Sequence, residues 1–76
     1  MAEEFQFIRF EGIEDGVARI VLARPEKRNA QNKSMLYELN DALDKASHDV
    51  DCKVIVLAAD GPDFSSGHDM KDREPL

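Results

Sequence analysis

The most apolar run of the chain is Val54-Ile55-Val56-Leu57-Ala58-Ala59, and it leads into the loop Asp63-Phe64-Ser65-Ser66-Gly67-His68-Asp69-Met70. A short apolar run bounded by turn residues is typical of a strand buried on both faces, which we predict over residues 53–59. Open α/β sheets bind ligands where loops leave the ends of such strands. Because Gly67 has no side chain, a ligand could approach the backbone N–H groups closely there. The loop is therefore a candidate ligand site. The alternative is a surface turn in which the glycine only permits the backbone conformation.

A helix is predicted immediately upstream, over residues 34–47. Apolar side chains recur there at spacings of three and four, which places them on one face, and either Asn29 or Asn32 could cap the first turn. The apolar face consists of Met35, Leu36, Leu39, Ala42, Leu43 and Ala46. Such a face predicts packing against a sheet rather than a cofactor site.

Two strands are predicted near the start of the chain, over residues 5–10 and 17–23, where aromatic and β-branched residues are frequent. The stretch 11–16 between them holds two glycines and an Asp-Gly pair, which predicts the turn of an antiparallel hairpin. With the helix and the apolar strand, the chain is α/β: a β-hairpin followed by a βαβ unit. One helix cannot cover both faces of a buried strand, so we expect further polypeptide, covalent or associated, to complete the fold.

Length, charge and cysteine content bear on the class of protein. The 76 residues make at most one small domain, and the net charge of −6 argues against nucleic-acid binding. No apolar run reaches the roughly 18 residues of a membrane-spanning helix. Cys52 is the only cysteine, which fits a reducing compartment and predicts a cytoplasmic protein. Residues 71–76 are charged and aperiodic, and we predict that they are mobile.

Positive charge concentrates in one loop of this acidic chain. Residues 24–33 hold four cations against Glu26, a local balance of +3, so the remaining residues carry −9. The four cations are Arg24, Lys27, Arg28 and Lys33. Such a loop suits a small anionic ligand rather than a polyanion, and a solvated charged loop is the alternative.

Common catalytic and metal-binding motifs do not fit the sequence. Five residues separate Gly61 from Gly67 where a phosphate-binding loop has four, and the Lys-Ser/Thr pair of that loop is missing. Ser66, His68 and Asp69 lie too close together on one loop to converge as nucleophile, base and orienting acid. The cysteine and the two histidines lack metal-ligand spacing, so no metal site is predicted.

Two stretches together resemble one family. The first, Arg24-Pro25-Glu26-Lys27-Arg28-Asn29-Ala30, resembles the R-P-x-x-x-N-A segment of the enoyl-CoA hydratase/isomerase (crotonase) superfamily. The second, Phe64-Ser65-Ser66-Gly67-His68-Asp69-Met70, resembles its F-S-x-G-x-D segment followed by an apolar residue. The resemblance implies the N-terminal part of a crotonase-like (ClpP/crotonase) spiral fold, with residues 1–76 as an N-terminal fragment of a single domain. Gln31 stands where the family often has Leu, and His68 stands where it usually has Ala.

The resemblance also implies roles for individual residues. In that family the two segments hold the adenine and phosphate end of coenzyme A. Lys27 and Arg28 would lie near the phosphates, and the backbone carbonyls of Ala30 and Ser66 would meet the adenine amino group. The backbone N–H of His68 would be one of two oxyanion-hole donors for the thioester oxygen. The implied substrate-binding set is Lys27, Arg28, Ala30, Ser66, Gly67, His68, Asp69 and Met70.

The function implied by the resemblance is acyl-CoA binding with enolate stabilisation, as in an enoyl-CoA hydratase that adds water across the 2,3 double bond. An isomerase of the same superfamily, a non-catalytic CoA-binding or assembly module, and a small fragment without a ligand are the alternatives. The family's catalytic carboxylates and second oxyanion donor lie outside the matched segments, so this chain alone is predicted to be inactive. Coenzyme A would enter as part of the substrate, with no other cofactor. The implied partners are the rest of the domain or a partner chain, in a homotrimer or hexamer.

Overall fold

Three strands, a short 3₁₀ turn and one long helix follow one another along residues 5–71, the part of the chain that this computed structural model describes. In chain order they are strand β1 (Ile8–Glu14), strand β2 (Val17–Leu22), the 3₁₀ turn (Pro25–Lys27), helix α1 (Lys33–Ser47) and strand β3 (Val54–Ala59). The predicted β-hairpin followed by a βαβ unit is confirmed. We predict that residues 71–76 are mobile, and of these only residue 71 is described. Residues 72–76 lie outside the described residues.

The hairpin of β1 and β2 has a shorter turn than the sequence predicts. The predicted bounds are wrong because β1 continues to Glu14, and only Asp15 and Gly16 form the turn, with φ of 53° and 80°. Two successive left-handed residues match the right-handed twist of the flanking strands, so a two-residue turn is enough to reverse the chain. The register of pairing shifts between Phe10 and Ile13. Gly12, which suggests a longer turn in the sequence, lies within this irregularity of β1.

Helix α1 begins one residue before the predicted position and is capped by Asn32. The side-chain oxygen of Asn32 accepts a hydrogen bond from the amide of Met35 at 2.8 Å, which satisfies one of the donors left unpaired at the start of a helix. Met35, Ala42 and Ala46 of the predicted apolar face are fully buried. The two leucines at the margin of that face stay 36% and 38% exposed, so the buried stripe is narrower than the sequence pattern suggests.

Strands β2 and β3 run parallel and side by side. They pair residue for residue from Val17–Val54 to Leu22–Ala59, and α1 connects them. Because parallel strands end at the same edge of a sheet, the loop of residues 23–32 and the loop of residues 60–71 leave that edge next to each other. The topology alone therefore brings the cationic loop and the glycine-containing loop together.

The prediction that the apolar strand is buried on both faces is wrong for residues 5–71. Strand β3 is the edge strand of the sheet, in the order β1-β2-β3, and pairs only with β2. Val54, Val56 and Leu57 are 53%, 39% and 40% exposed. Their apolar character fits a strand with neighbours on both edges, whereas the described part of the chain supplies a neighbour on one edge.

The hydrophobic core lies between the sheet and α1. Its fully or nearly fully buried members come from β1, β2 and α1, and partly buried side chains pack around them. The buried members are Ile8, Ile20, Leu22, Met35 and Ala42, and the surrounding ones are Phe5, Phe7, Phe10, Leu39, Ile55 and Ala59. No helix within residues 5–71 combines the length and the apolar character that crossing a membrane requires.

Candidate functional site

A buried asparagine joins the loops that leave β2 and β3. Asn29 is fully buried, and its Nδ2 donates to the carbonyls of Asp60 and Asp63 at 2.8 Å each. Its Oδ1 accepts from the amide of Arg24 at 2.8 Å. These bonds use three of the hydrogen-bonding positions of the amide group, and they fix the distance between the two loops. Asn29 adopts a left-handed backbone with φ of 56°, a conformation that asparagine tolerates better than most residues.

The hydroxyl of Ser65 ties the second loop to the first. Its Oγ donates to the carbonyl of Asn29 at 3.1 Å and accepts from the amide of Gly67 at 3.0 Å. One residue further along, the amide of Ser66 donates to the carbonyl of Arg28 at 3.0 Å. The second loop is therefore held along the first by bonds from consecutive residues.

An isolated parallel bridge fixes the direction of the His68 amide. The amide of Gln31 donates to the carbonyl of Gly67 at 2.8 Å, and the amide of Asp69 donates to the carbonyl of Gln31 at 2.9 Å. In this pattern the residues on either side of His68 make the bonds, so its own N–H points away from Gln31. No acceptor within residues 5–71 takes a hydrogen bond from that N–H, and the residue is exposed.

An ion pair crosses from the first loop to the residue after His68. Nη1 of Arg24 lies 2.8 Å from Oδ2 of Asp69 and 2.8 Å from the carbonyl oxygen of Ala30. The two charged side chains are 12% and 16% exposed, which is little for a charged pair in so small a chain. The guanidinium also lies over the ring of Phe7, 5.6 Å from its centroid. Arg24 is thus held in one orientation by three separate partners.

The environment of Asp69 stabilises its ionised form. The hydrogen bond from Arg24 is the largest cause that holds the pKa of Asp69 below its ordinary value, and the amide of Lys71, which donates to Oδ1 at 2.9 Å, is the next. Partial burial acts in the opposite direction and is outweighed. The carboxylate is therefore charged at neutral pH and already engaged on both oxygens.

One cavity of about 580 Å³ opens between the two loops. Most of the residues that line it are those predicted for the substrate site, and the lining includes four cationic residues and one carboxylate. The lining residues are Arg24, Lys27, Arg28, Ala30, Ser66, His68, Asp69, Met70 and Lys71. Lys33, the remaining cation of the predicted basic loop, is instead buried at the start of α1. The loop is therefore only partly a solvated charged surface, because Arg24 and Lys33 are both withdrawn from water.

The cations at the cavity differ in how free they are. Arg28 is 71% exposed and its Nε lies 3.3 Å from Oδ2 of Asp63, an exposed pair that an incoming anion could replace. Lys27 and Lys71 are exposed. Arg24 is engaged with Asp69, so an anion in the cavity would meet the other three cations first.

The glycine of the second loop is required by its backbone rather than by lack of space. Gly67 has a φ of 98°, in the region that side chains rarely adopt, yet a Cβ built there would meet nothing within 4 Å. A different glycine marks the close approach of the two loops: a Cβ at Gly61 would lie 2.9 Å from Cβ of Pro25. Backbone conformation and packing between loops thus explain one glycine each.

The structure brings the predicted site residues together with one exception. Seven of the eight line the cavity, and Gly67 contributes its carbonyl to the bridge with Gln31 instead. The sequence pattern does not mark Lys71 or the link made by Asn29. The one signal for Asn29 is its place in the R-P-x-x-x-N-A segment, whereas its residue type alone predicts only a possible helix cap. Within residues 5–71 no group of three or more His, Cys, Asp or Glu side chains could hold a metal ion.

Comparison with known proteins points to one family. The profile of the enoyl-CoA hydratase/isomerase family matches residues 12–75. A Mycobacterium tuberculosis protein named as a candidate enoyl-CoA hydratase, EchA13, is 50% identical over 74 residues, which cover 96% of this chain and 23% of that protein. A mouse protein named mitochondrial Δ(3,5)-Δ(2,4)-dienoyl-CoA isomerase is 37% identical over 68 residues, covering 90% of this chain and 21% of that protein.

A solved structure agrees with both the sequence and the fold. The crystal structure of an enoyl-CoA hydratase/isomerase from Xanthobacter autotrophicus Py2 superposes with a TM-score of 0.83 at 43% identity, over 90% of this chain and 25% of that one. The crotonase-like α/β fold predicted from the sequence is therefore confirmed. The chain spans about a quarter of the length of the relatives that it matches.

Proposed function

The chain belongs to the enoyl-CoA hydratase/isomerase family, and from that membership we propose that its two loops bind an acyl-CoA thioester and stabilise the enolate formed from it. The observation that carries this proposal is the joint position of Lys27, Arg28 and His68 on one cavity between the loops. A CoA thioester has an anionic nucleotide at one end and a reactive carbonyl at the other. The cavity offers cations for the first and an unengaged main-chain N–H for the second.

The nucleotide end would be held by the cationic side of the cavity. Lys27, Arg28 and Lys71 would contact the phosphates, and Arg28 would exchange its exposed pairing with Asp63 for a phosphate. The backbone carbonyls of Ala30 and Ser66 are proposed to accept hydrogen bonds from the adenine amino group. The carbonyl of Ala30 already accepts from Arg24 at 2.8 Å, and its oxygen has a second lone pair for another donor.

The thioester end would meet the amide of His68. As the α-carbon gains carbanion character, negative charge develops on the thioester oxygen, and a preorganised N–H donor stabilises it without reorganising in the reaction. The bridge to Gln31 supports this role because it directs the His68 N–H away from the protein's own acceptors. Loss of one oxyanion-hole donor typically costs about 3–4 kcal/mol of transition-state stabilisation. The imidazole has no assigned step, and its bulk would border the acyl chain.

Hydration of a 2,3-enoyl-CoA is the reaction we propose, with double-bond isomerisation as the second candidate. Isomerisation is retained as the second candidate because a relative at 37% identity is named as a dienoyl-CoA isomerase. Both reactions develop the same thioester oxyanion, so the His68 amide would serve either. Incubation of the complete protein, in which this chain is joined to the rest of the domain, with a short 2-enoyl-CoA and with its 3-enoyl isomer separates them. A hydratase yields the 3-hydroxyacyl thioester, and an isomerase yields the other enoyl thioester.

The acid and base of the reaction are proposed to come from polypeptide outside these 76 residues. The chain would form the N-terminal part of a larger domain, whose remainder or partner chain covers β3, in a homotrimer or hexamer. The exposure of Val56 and Leu57 on an apolar strand supports such a covering. On this proposal the chain alone binds CoA without turning it over, which is also what a non-catalytic CoA-binding or assembly module would do. We also propose a cytoplasmic setting, on the ground that Cys52 is unpaired, and no cofactor besides the coenzyme A of the substrate.

Calorimetric titration with coenzyme A tests the binding proposal. The variant Lys27→Ala/Arg28→Ala removes two cations of the cavity, and we expect its affinity to fall on the order of tenfold through loss of two phosphate contacts. The matched control Arg19→Ala/Lys45→Ala removes two cations from β2 and α1 that do not line the cavity, and should bind as the wild type does. Equal binding by both double variants would contradict the proposed site, and no heat with the wild-type protein would leave a fragment without a ligand.

A further inference from the structure

We propose that Arg24 and Asp69 form a brace that positions the His68 amide for the reaction. The inference rests on the proposed function, because it concerns the donor that would meet the thioester oxygen. Both residues are assigned a positioning role: they act on the substrate through the backbone of the second loop, and their charged groups bind each other.

The bridge that directs the His68 amide needs support. It consists of two backbone hydrogen bonds at a single residue, Gln31, and each such bond contributes only about 0.5–1.5 kcal/mol net. The chain beyond it offers little packing, since Met70 is 91% exposed. A bridge of this size, followed by an exposed segment, opens readily unless other contacts hold it closed.

The ion pair spans the same two segments as the bridge. Arg24 bonds to the carbonyl of Ala30, the residue before Gln31, and to the carboxylate of Asp69, the residue after His68. One guanidinium therefore joins both sides of the bridge at distances of 2.8 Å. Because the pair is mostly withdrawn from water, screening by salt weakens it less than it weakens an exposed pair.

The orientation of Arg24 is itself fixed from the core side. Its guanidinium lies over the ring of Phe7, and the amide of Phe7 donates to Oε1 of Glu38 on α1 at 2.8 Å. The arginine head group thus lies between the ring of Phe7, a residue whose backbone is bonded to the helix, and the two segments of the bridge. Nothing in this arrangement requires a ligand, so the His68 amide is positioned before substrate arrives, which is what an oxyanion donor needs.

The test uses a double-mutant cycle in the complete enzyme, with this chain joined to the polypeptide that supplies the acid and base. The cycle comprises wild type, Arg24→Gln, Asp69→Asn and the double variant. Misplacing the donor should lower kcat on the order of 10- to 100-fold, while KM for the enoyl-CoA changes by less than about twofold. Because the two residues act as one unit, the double variant should lose no more than either single variant.

The control is Glu11→Gln, which removes the carboxylate that pairs with Arg19 at 2.9 Å and with Arg9 at 3.4 Å on the exposed side of the hairpin. It should leave both kinetic constants unchanged. Urea unfolding of every variant accompanies the kinetics, and the proposal requires that the variants remain fully folded under assay conditions. Losses in the two single variants that add in the double variant, or losses that follow only the unfolded fraction, would overturn the brace.

A second readout separates the brace from the proposed function. Nuclear magnetic resonance relaxation of the His68 backbone amide should report an order parameter of about 0.85 in the wild type, and one below about 0.6 in Asp69→Asn and in Arg24→Gln. If the wild-type enzyme neither binds nor converts enoyl-CoA, the proposed function fails while this measurement still decides whether the brace exists. An amide that stays rigid in both variants overturns the brace whatever the turnover shows.

Discussion

Asn29 shows how one buried side chain can determine the shape of a cavity without lining it. It is fully buried, and it bonds to the backbone at Arg24, Asp60 and Asp63 at distances of 2.8 Å. Its left-handed backbone turns the first loop so that Ala30 and Gln31 run beside the second loop. The cationic and amide-bearing sides of the cavity therefore owe their spacing to a residue between them.

Replacement of Asn29 is expected to destabilise the chain in a way that depends on the replacement. Asn29→Ala removes three hydrogen bonds and places a Cβ residue without the local bonds of asparagine at φ 56°, so we expect a loss of about 3–4 kcal/mol in the free energy of unfolding. Asn29→Gly loses the same bonds but not the backbone strain, and should be about 1 kcal/mol more stable than the alanine variant. Urea denaturation measures both, and an alanine variant as stable as the glycine variant would contradict this account.

Two carboxylates predict how stability depends on pH. Bonding to Arg9 is the largest cause that lowers the pKa of Asp60, as bonding to Arg24 does for the pKa of Asp69. In the unfolded chain both titrate near the ordinary value of 3.8. A lowered pKa in the folded state means that this stabilisation is present above 3.8 and is lost as the pH falls through the folded values.

We expect the melting temperature of the wild type to fall as the pH is lowered from 3.8 through the pKa values of the folded state. In Asp60→Asn/Asp69→Asn the two titrations are absent, so the melting temperature should start lower at neutral pH and depend less on pH below 4. The measurement is thermal unfolding followed by circular dichroism from neutral pH down to pH 2. Parallel curves for the two proteins would show that neither carboxylate contributes in the way described.

Strand β3 is the element whose exposure to solvent agrees least with its apolar composition. The strand itself, the helix and the hairpin could all be predicted from periodicity and turn residues, because those patterns depend on neighbours within a few positions. The exposure of β3 could not be predicted, because it depends on which segments of polypeptide lie against the strand. The bounds of β1 could not be predicted either, because a glycine such as Gly12 is equally compatible with a turn and with an irregularity inside a strand.

A pair of leucines on neighbouring strands tests the exposure of β3. Leu22→Ala on β2 removes a fully buried side chain and should cost about 2–5 kcal/mol. Leu57→Ala on β3 removes a side chain that is 40% exposed, and in the chain alone should cost less than about 1.5 kcal/mol. If further polypeptide covers β3 as proposed, the cost at Leu57 in the complete protein should rise towards that at Leu22. An unchanged cost at Leu57 would argue that no polypeptide covers this strand.

At the scale of the whole molecule, an acidic chain presents a cationic cavity. The net charge is −6, whereas four cations and one carboxylate line the space between the loops. The sequence could predict this asymmetry from residues 24–33, and the resemblance could predict that the two loops share a site. It could not predict that Arg24 pairs with Asp69, or that Lys71 joins the cavity, because those contacts depend on how the two loops pack.

The charge asymmetry predicts that coenzyme A binding weakens with salt. Raising the ionic strength from about 0.01 M to about 1 M shortens the screening length from about 30 Å to about 3 Å, so the attraction of the cations for the phosphates should largely disappear. Lys71→Ala should bind more weakly at low salt and show a smaller salt dependence. Lys45→Ala on α1, which changes the charge equally outside the cavity, is the control. Affinity independent of salt in the wild type would contradict a phosphate-binding cavity.

The unbroken parallel register between β2 and β3 sets the distance between the points where the two loops leave the sheet. The cations near Lys27 follow β2 and the amide of His68 follows β3, so their separation depends on how the strands are aligned. One residue inserted into β3 would shift its exit by about 3.3 Å relative to that of β2. If an acyl-CoA binds as proposed, such a shift would move the His68 amide relative to the cations, so a one-residue insertion within β3 should impair the site even where the strand still pairs with β2.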